Sequence, residues 1–221
     1  MKKYDLVVFD LDGTLLDTSE GVLAAVRHTI KTLNFPMLSE EKISTFIGPP
    51  IQESFAVQYG LQGEILQKIA TVFRNQYKDV DLLKAAPYNG IYELLKTLNA
   101  DGIMSAVATY KREDYALTLL NHYEFGKYMK SMHGADNENR LKKQDIIQMC
   151  IAESGIGDYD RVVMVGDTVH DAIGAEKLGV DFIGVTYGFG FKKMEEELSV
   201  KNIGFVSHPL EILNLVEKDR A

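Results

Sequence analysis

Short apolar runs at residues 6–9, 103–108, 162–165 and 182–185 are separated by stretches of helical periodicity, and this alternation limits the possible folds more than any other feature. Strands that alternate with helices line up in parallel, with the helices covering both faces of the sheet. Periodic stretches at 91–98, 113–123, 144–153 and 171–178 supply those helices. Turn signals bound them: Pro87 with Gly90, Asp101 with Gly102, Gly155 with Gly157, and then Gly179. The pattern breaks after the first strand, where segments 21–33, 40–46, 51–59 and 64–77 are amphipathic and no strand lies between them. The expected fold is α/β: a doubly wound, Rossmann-like parallel sheet core (1–15 and 87–221) with a small all-helical cap (16–86) inserted after the first strand. An insert at that point is expected to act as a lid, hinged near 15–18 and 85–88.

The first run ends in the string Asp10-Leu11-Asp12-Gly13-Thr14. Residues two apart in an extended chain point to the same side, so both carboxylates can reach one small volume beyond the strand end. Gly13 lets the backbone turn there and approach a ligand. Buried acids without partners cost free energy, so the pair points to chemistry more than to packing. Three further polar clusters fall at strand ends, the side on which open parallel sheets bind ligands. Thr109 follows the run 103–108 and is itself followed by Tyr110 and Lys111. A hydroxyl and fresh amides at that position suit phosphate oxygens, although Thr is also a common helix cap. Gly166 and Asp167 follow the third run, with Asp171 four residues on. A helix starting between the two acids would set both carboxylates on one face, as a Mg²⁺ site of hard oxygens requires; helix capping is the competing reading. Lys142 and Lys143 open the helix at 144–153, where the helix dipole disfavours cations. Either an anion binds there or the pair is solvated surface.

Composition narrows the partners. A net charge of -8 without a block of Lys or Arg argues against a nucleic acid polymer or a membrane held by a basic surface. The single cysteine, Cys150, allows no internal disulfide and fits a core position in a reducing cytoplasm. No signal-peptide or transmembrane-length apolar run is present, so a soluble, cytoplasmic protein is expected. The five histidines, at 28, 122, 133, 170 and 208, show no metal-ligand spacing, and Glu195 to Glu197 read as a solvated helix face.

Taken in order, the motifs resemble those of the haloacid dehalogenase superfamily of phosphatases. DLDGTLLDT resembles the first motif, VAT at residues 107–109 the second, a lysine of RLKKQDII the third, and VGDTVHD at 165–171 the fourth. The strings FIGPPIQESF, PYNGI and VTYGFG resemble the phosphoglycolate phosphatase and 5'-nucleotidase-like branch. The resemblance implies that Asp10 attacks phosphorus to form an aspartyl-phosphate and that Asp12 is the general acid and base. It implies Mg²⁺ held by Asp10, the backbone carbonyl of Asp12, and Asp167, with Asp171 supporting. Thr109, Tyr110 and Lys143 become the phosphate- or substrate-binding residues, Thr109 and Lys143 also serving catalysis by stabilising charge. Lys143 is chosen by its spacing to Asp145 and Ile146, and Lys142 stays an alternative. Tyr110 departs from the Asn or Ser usual in relatives, and its bulk is expected to alter the pocket. The implied partner is a small phosphorylated metabolite, handled by a monomer or a homodimer.

Asp12 separates neighbouring activities, because a halide leaves without a proton and the superfamily's dehalogenases lack an aspartate at this place. A phosphomutase of the β-phosphoglucomutase kind or an inorganic pyrophosphatase could use the same core. A non-catalytic phospho-acceptor sensor is the rival from another class, and it needs neither Asp12 nor a helical lid.

Overall fold

The computed structural model describes residues 4–48, 50–136, 140–192 and 200–216. Pro49 and the stretch Glu195 to Glu197 lie outside the described residues. In chain order the elements are β1 (Leu6–Phe9), β2 (Leu16–Asp17), α1 (Ser19–Thr32), α2 (Glu40–Ser44), α3 (Ile51–Tyr59) and α4 (Glu64–Gln76). A π-helical turn, Tyr77–Asp81, extends α4 and leads to β3 (Ala86–Pro87), α5 (Ile91–Ala100), β4 (Met104–Arg112), α6 (Glu113–His122) and β5 (Met129–Ala135). The chain then forms α7 (Lys143–Ser154), β6 (Val162–Gly166), α8 (Val169–Leu178), β7 (Asp181–Val185), β8 (Gly204–Val206) and α9 (Ile212–Val216). It divides into two compact units, Met1–Asp17 with Pro87–Ala221, and Thr18–Ala86. Among the described residues no helix is long and apolar enough to cross a membrane.

In the first unit, six described strands form one parallel sheet in the order β5-β4-β1-β6-β7-β8. The chain builds outward from β1 on one side and then returns to β6 on the other, which makes β1 the centre of a doubly wound sheet. All four residues of β1 are buried, as a strand covered on both faces must be. Leu6 and Val8 pack into a cluster with Ile146, Ile147 and Ile151 of α7 and Ala172 and Ala175 of α8. Val7 and Phe9 alternate to the other face and are equally buried. Each such side chain contributes about 1.5–3 kcal/mol on burial, so the core fixes the strand ends firmly. Register then levels those ends: Phe9 pairs with Val107 on one side and with Val165 on the other. Asp10, Ala108 and Gly166 consequently follow in the next row across three strands.

Four strands go beyond the expected four runs: β5 and β8 in this sheet, and the two-residue β2 and β3, which put short strand pieces at the ends of the 16–86 stretch expected to be all-helical. β5 lies at the sheet edge and, in Met129 to Ala135, has no β-branched or aromatic residue, so it carries no strand signal of its own. β8 is a three-residue edge strand. β4 also runs past 108 to Arg112, so Thr109, Tyr110 and Lys111 belong to the strand and do not follow it. The pairing of β4 with β5 is irregular between Ala108 and Arg112, which leaves this stretch out of regular register.

The second unit is helical and has its own core. Val26 and Ile30 of α1, Ile43 of α2, Phe55 of α3 and Ile69 of α4 are buried together with Phe46. Phe55 meets the rings of Phe46, Phe35 and Tyr59 at centroid distances of 5.1, 6.1 and 5.7 Å. Gly21 lets α1 approach the π-helical turn, since a Cβ there would overlap the carbonyl oxygen of Asp81.

Candidate active site

Beyond β1 the chain makes a tight turn in which the amides of Thr14, Leu15 and Leu16 all donate to the carbonyl of Leu11. Gly13 sits at φ 80°, the left-handed region that glycine takes without strain. A side chain there would overlap the carboxylate of Asp167, so what Gly13 admits closely is the acid that follows β6. Asp10 is nearly covered, and its Oδ1 lies 2.6 Å from Lys143 Nζ. Asp12, although two residues away, is held by another lysine, with Oδ1 3.1 Å from Lys111 Nζ. The two acids of the first motif thus pair with two different ammonium groups.

Lys143 is 2% exposed and also lies 2.6 Å from Asp171 Oδ1. Lys142, by contrast, is exposed and forms the N-cap of α7, so Lys143 is the lysine that meets the acids. α8 begins at Val169, between Asp167 and Asp171, and the two acids reach one volume from the turn and the first turn of the helix. Asp167 Oδ2 accepts hydrogen bonds from the amides of Phe189 at 2.7 Å and Gly190 at 3.1 Å. Asp171 serves the capping reading, since its Oδ2 accepts from the amide and hydroxyl of Thr168 at 3.0 and 2.7 Å, while its Oδ1 faces Lys143. Thr109 is buried in β4, and its Oγ1 accepts from the amide of Lys111 at 3.1 Å. Tyr110 accepts from the Lys143 amide through its hydroxyl at 2.9 Å.

One carboxylate oxygen each from Asp10, Asp167 and Asp171 lies within 4.8 Å of the others, and all three residues are buried. Three carboxylates face one ammonium here, which leaves excess negative charge in a poorly solvated volume. The Asp10 carboxyl is raised to about 8, by burial first, against the pull of Lys143 and with Asp171, Asp167 and Asp12 adding to the rise. Asp167 is raised to about 6, by burial first and then by Asp171, against the opposing pull of the Phe189 and Gly190 amides and of Lys143. Burial works against the charge of Lys143, but Asp10 and Asp171 outweigh it and hold the ammonium protonated beyond its usual range. Asp167 Oδ1 is buried without a hydrogen-bond partner. An orphaned carboxylate oxygen among three hard-oxygen donors fits a small divalent cation better than any protein group present.

Several supporting residues escape a reading of the sequence. The amides of Phe189 and Gly190 come from the TYGFG string after β7, in which side chains at Gly188 and Gly190 would collide with Asp167. Gly166 makes room for Asp171, and Gly174 on α8 makes room for the stem of Lys143. Lys111 is visible as a cation near Thr109, but only the fold brings it to Asp12. Isolated glycines in strand and helix patterns were the available signal for close approach.

Residues 7–185 match the family model described as haloacid dehalogenase-like hydrolase. The chain is 32% identical over 197 residues to a 5'-nucleotidase of Pseudomonas aeruginosa, covering 89% of this chain and 87% of that protein. It is likewise 32% identical over 186 residues to the tyrosine-protein kinase PtkA of Mycobacterium tuberculosis, covering 84% of this chain but 63% of the kinase. Among solved structures, a haloacid dehalogenase-like family hydrolase from Streptococcus pneumoniae superposes with a TM-score of 0.85 at 27% identity, over 96% of this chain and 98% of that one.

Proposed function

Because the chain belongs to the haloacid dehalogenase-like hydrolases and is a phosphoric monoester hydrolase, we propose that it cleaves a small phosphate monoester with Mg²⁺ through an aspartyl-phosphate on Asp10. The observation that carries this reading is Asp10 itself, a buried carboxylate at the end of the central strand, tied to Lys143 in a three-acid group that contains an orphaned oxygen. Asp10, Asp167 and Asp171 would hold Mg²⁺, which when bound supplies positive charge against the carboxylate and phosphate oxygens.

The reaction then divides into two displacements. A carboxylate oxygen of Asp10 forms a bond to phosphorus as the ester oxygen leaves, and Asp12 in its acid form gives that oxygen a proton. Asp12, now ionised, takes a proton from water as the water oxygen attacks phosphorus; the Asp10–phosphorus bond breaks and phosphate departs. Lys143 stays protonated through both steps and balances charge on the equatorial oxygens, while the Thr109 hydroxyl orients them. Tyr110 flanks the phosphate site. The helical unit Thr18–Ala86 serves as the cap that selects the substrate. Cys150 takes no part: its thiol is buried against the Val107 carbonyl and burial pushes its pKa up to about 12. An internal, reduced cytoplasmic setting suits such a protein.

Similarity to a 5'-nucleotidase supports nucleoside 5'-monophosphates as the first substrates to assay, with phosphoglycolate, pyrophosphate and sugar phosphates beside them. The test is release of inorganic phosphate from a generic aryl phosphate and then from that panel, with and without Mg²⁺. Mg²⁺-dependent turnover that Asp10→Asn abolishes is the expected result. Retained turnover in Asp10→Asn would remove the nucleophile assignment; isomer interconversion outrunning phosphate release, or phosphate transfer from ATP to tyrosine without hydrolysis, would replace the hydrolase reading.

A further inference from the structure

The helix that presents Lys143 begins without a capping bond from its N-cap side chain. Lys142 occupies the N-cap of α7, and an ammonium group offers only donors, so it cannot accept from the first amides as Ser or Asp would. Asp145 accepts from the Lys142 amide at 2.7 Å. The first helical amide, that of Lys143, is met from another element altogether, by the hydroxyl of Tyr110 at 2.9 Å. That bond joins the irregular end of β4, where pairing with β5 loses its register, to the start of α7. These are the two segments that carry Thr109 and Lys143.

The Tyr110 ring adds a second contact. Lys143 Nζ lies 5.7 Å from its centroid, within the range of cation–π attraction, and the His170 ring packs edge-on against it at 5.8 Å and 76°. Tyr110 is nonetheless 43% exposed, so it does not serve chiefly to fill the core. From this geometry we infer that Tyr110 is a positioning residue for Lys143: it holds the amide of that lysine while Asp10 and Asp171 hold the ammonium. The inference rests on the phosphatase reading, in which Lys143 must meet charge that develops on the phosphoryl oxygens. Fixation at both backbone and tip leaves the ammonium little room to move, the condition under which a preformed charge accelerates a reaction.

Tyr110→Phe in the full chain removes one oxygen and keeps the ring. With Mg²⁺ and an aryl phosphate, kcat is expected to fall about tenfold, a fraction of the roughly hundredfold that a full 1 Å misplacement can cost. KM should stay within about twofold of its original value. The ¹⁵N resonance of the Lys143 ammonium, assigned by its loss in Lys143→Arg, should shift in the same variant. A raised KM with kcat unchanged would overturn the inference, since the ring would then be a substrate contact. An unchanged kcat with an unmoved resonance would overturn it as well, leaving only a structural cap. If the unmodified protein turns over no phosphate ester, that failure belongs to the phosphatase reading. The resonance then decides alone: a shift on Tyr110→Phe sustains the positioning role, and its absence ends it.

Discussion

A single methyl group added at Gly174 should separate activity from stability. A Cβ at this position in α8 would lie 2.8 Å from Lys143 Cγ, 2.9 Å from Lys143 Cβ and 3.2 Å from Ile147 Cδ1. Comfortable carbon contacts start near 3.5 Å, so the overlap with Lys143 is about 0.7 Å. Those atoms are at the root of the side chain, whose tip is bound to two carboxylates at 2.6 Å each, so the lysine cannot simply swing aside. Overpacking of this kind costs about 1–3 kcal/mol, and replacing a mid-helix glycine returns about 1 kcal/mol, for a net loss of roughly 0–2 kcal/mol. In a chain of this size that lowers the melting temperature by no more than about 8 °C. The activity cost is larger, because a full 1 Å misplacement of Lys143 can cost about 100-fold, so a displacement of a good part of 1 Å should reduce kcat by at least about tenfold. Thermal melts followed by circular dichroism, beside phosphate release from an aryl phosphate, measure both. Gly179→Ala at the other end of α8 is the control: φ there is 74° and nothing lies within 4 Å, so it should lose stability yet keep kcat. A Gly174→Ala protein that melts near the original temperature and retains full kcat would refute the claim that the placement of Lys143 matters.

Lys143→Met leaves Asp10 and Asp171 buried without their ammonium, which should destabilise the protein by about 3–5 kcal/mol, with Mg²⁺ recovering part of the loss in a thermal melt. Cation affinity should rise as pH increases from about 5 to about 8, since protons on Asp167 and Asp10, raised to about 6 and about 8, compete with the metal; calorimetric titration of Mg²⁺ tests this, and a pH-independent affinity would contradict it. Without the cation these acids bind protons more tightly folded than unfolded, so folding stability should fall as pH rises from about 4 through about 8, and chemical denaturation across that window reads the sign.

The parts of the fold that show in the sequence are those whose residues carry their own signal. Leu6–Phe9 is a buried central strand of apolar residues ended by an acid, and its bounds in the structure are those of the apolar run. The α/β alternation likewise gives the helices α5 to α8 within a few residues. Met129–Ala135 gives nothing, because an edge strand paired to one neighbour draws its structure from β4 and not from side-chain preference. At the site, the acids announce themselves as Asp-Gly and Gly-Asp at strand ends, a place where carboxylates have little packing use. The spacing to Asp145 and Ile146 favours Lys143 over Lys142, but the contacts around it, the Tyr110 hydroxyl on its amide and the room at Gly174 for its stem, come from segments remote in sequence. The split partnership of Asp10 and Asp12 is invisible for the same reason, since Lys111 and Lys143 reach them from separate elements.

The most direct test asks where the phosphoryl group goes. In Asp12→Asn the first displacement can still proceed while the second has lost its base, so the phosphoenzyme should accumulate. Rapid acid quench after mixing with Mg²⁺ and an aryl phosphate, followed by peptide mass spectrometry, should find the phosphoryl adduct on Asp10 and none in the Asp10→Asn counterpart. Phosphate release at full rate with no adduct at any time, or an adduct on another residue, would contradict the account.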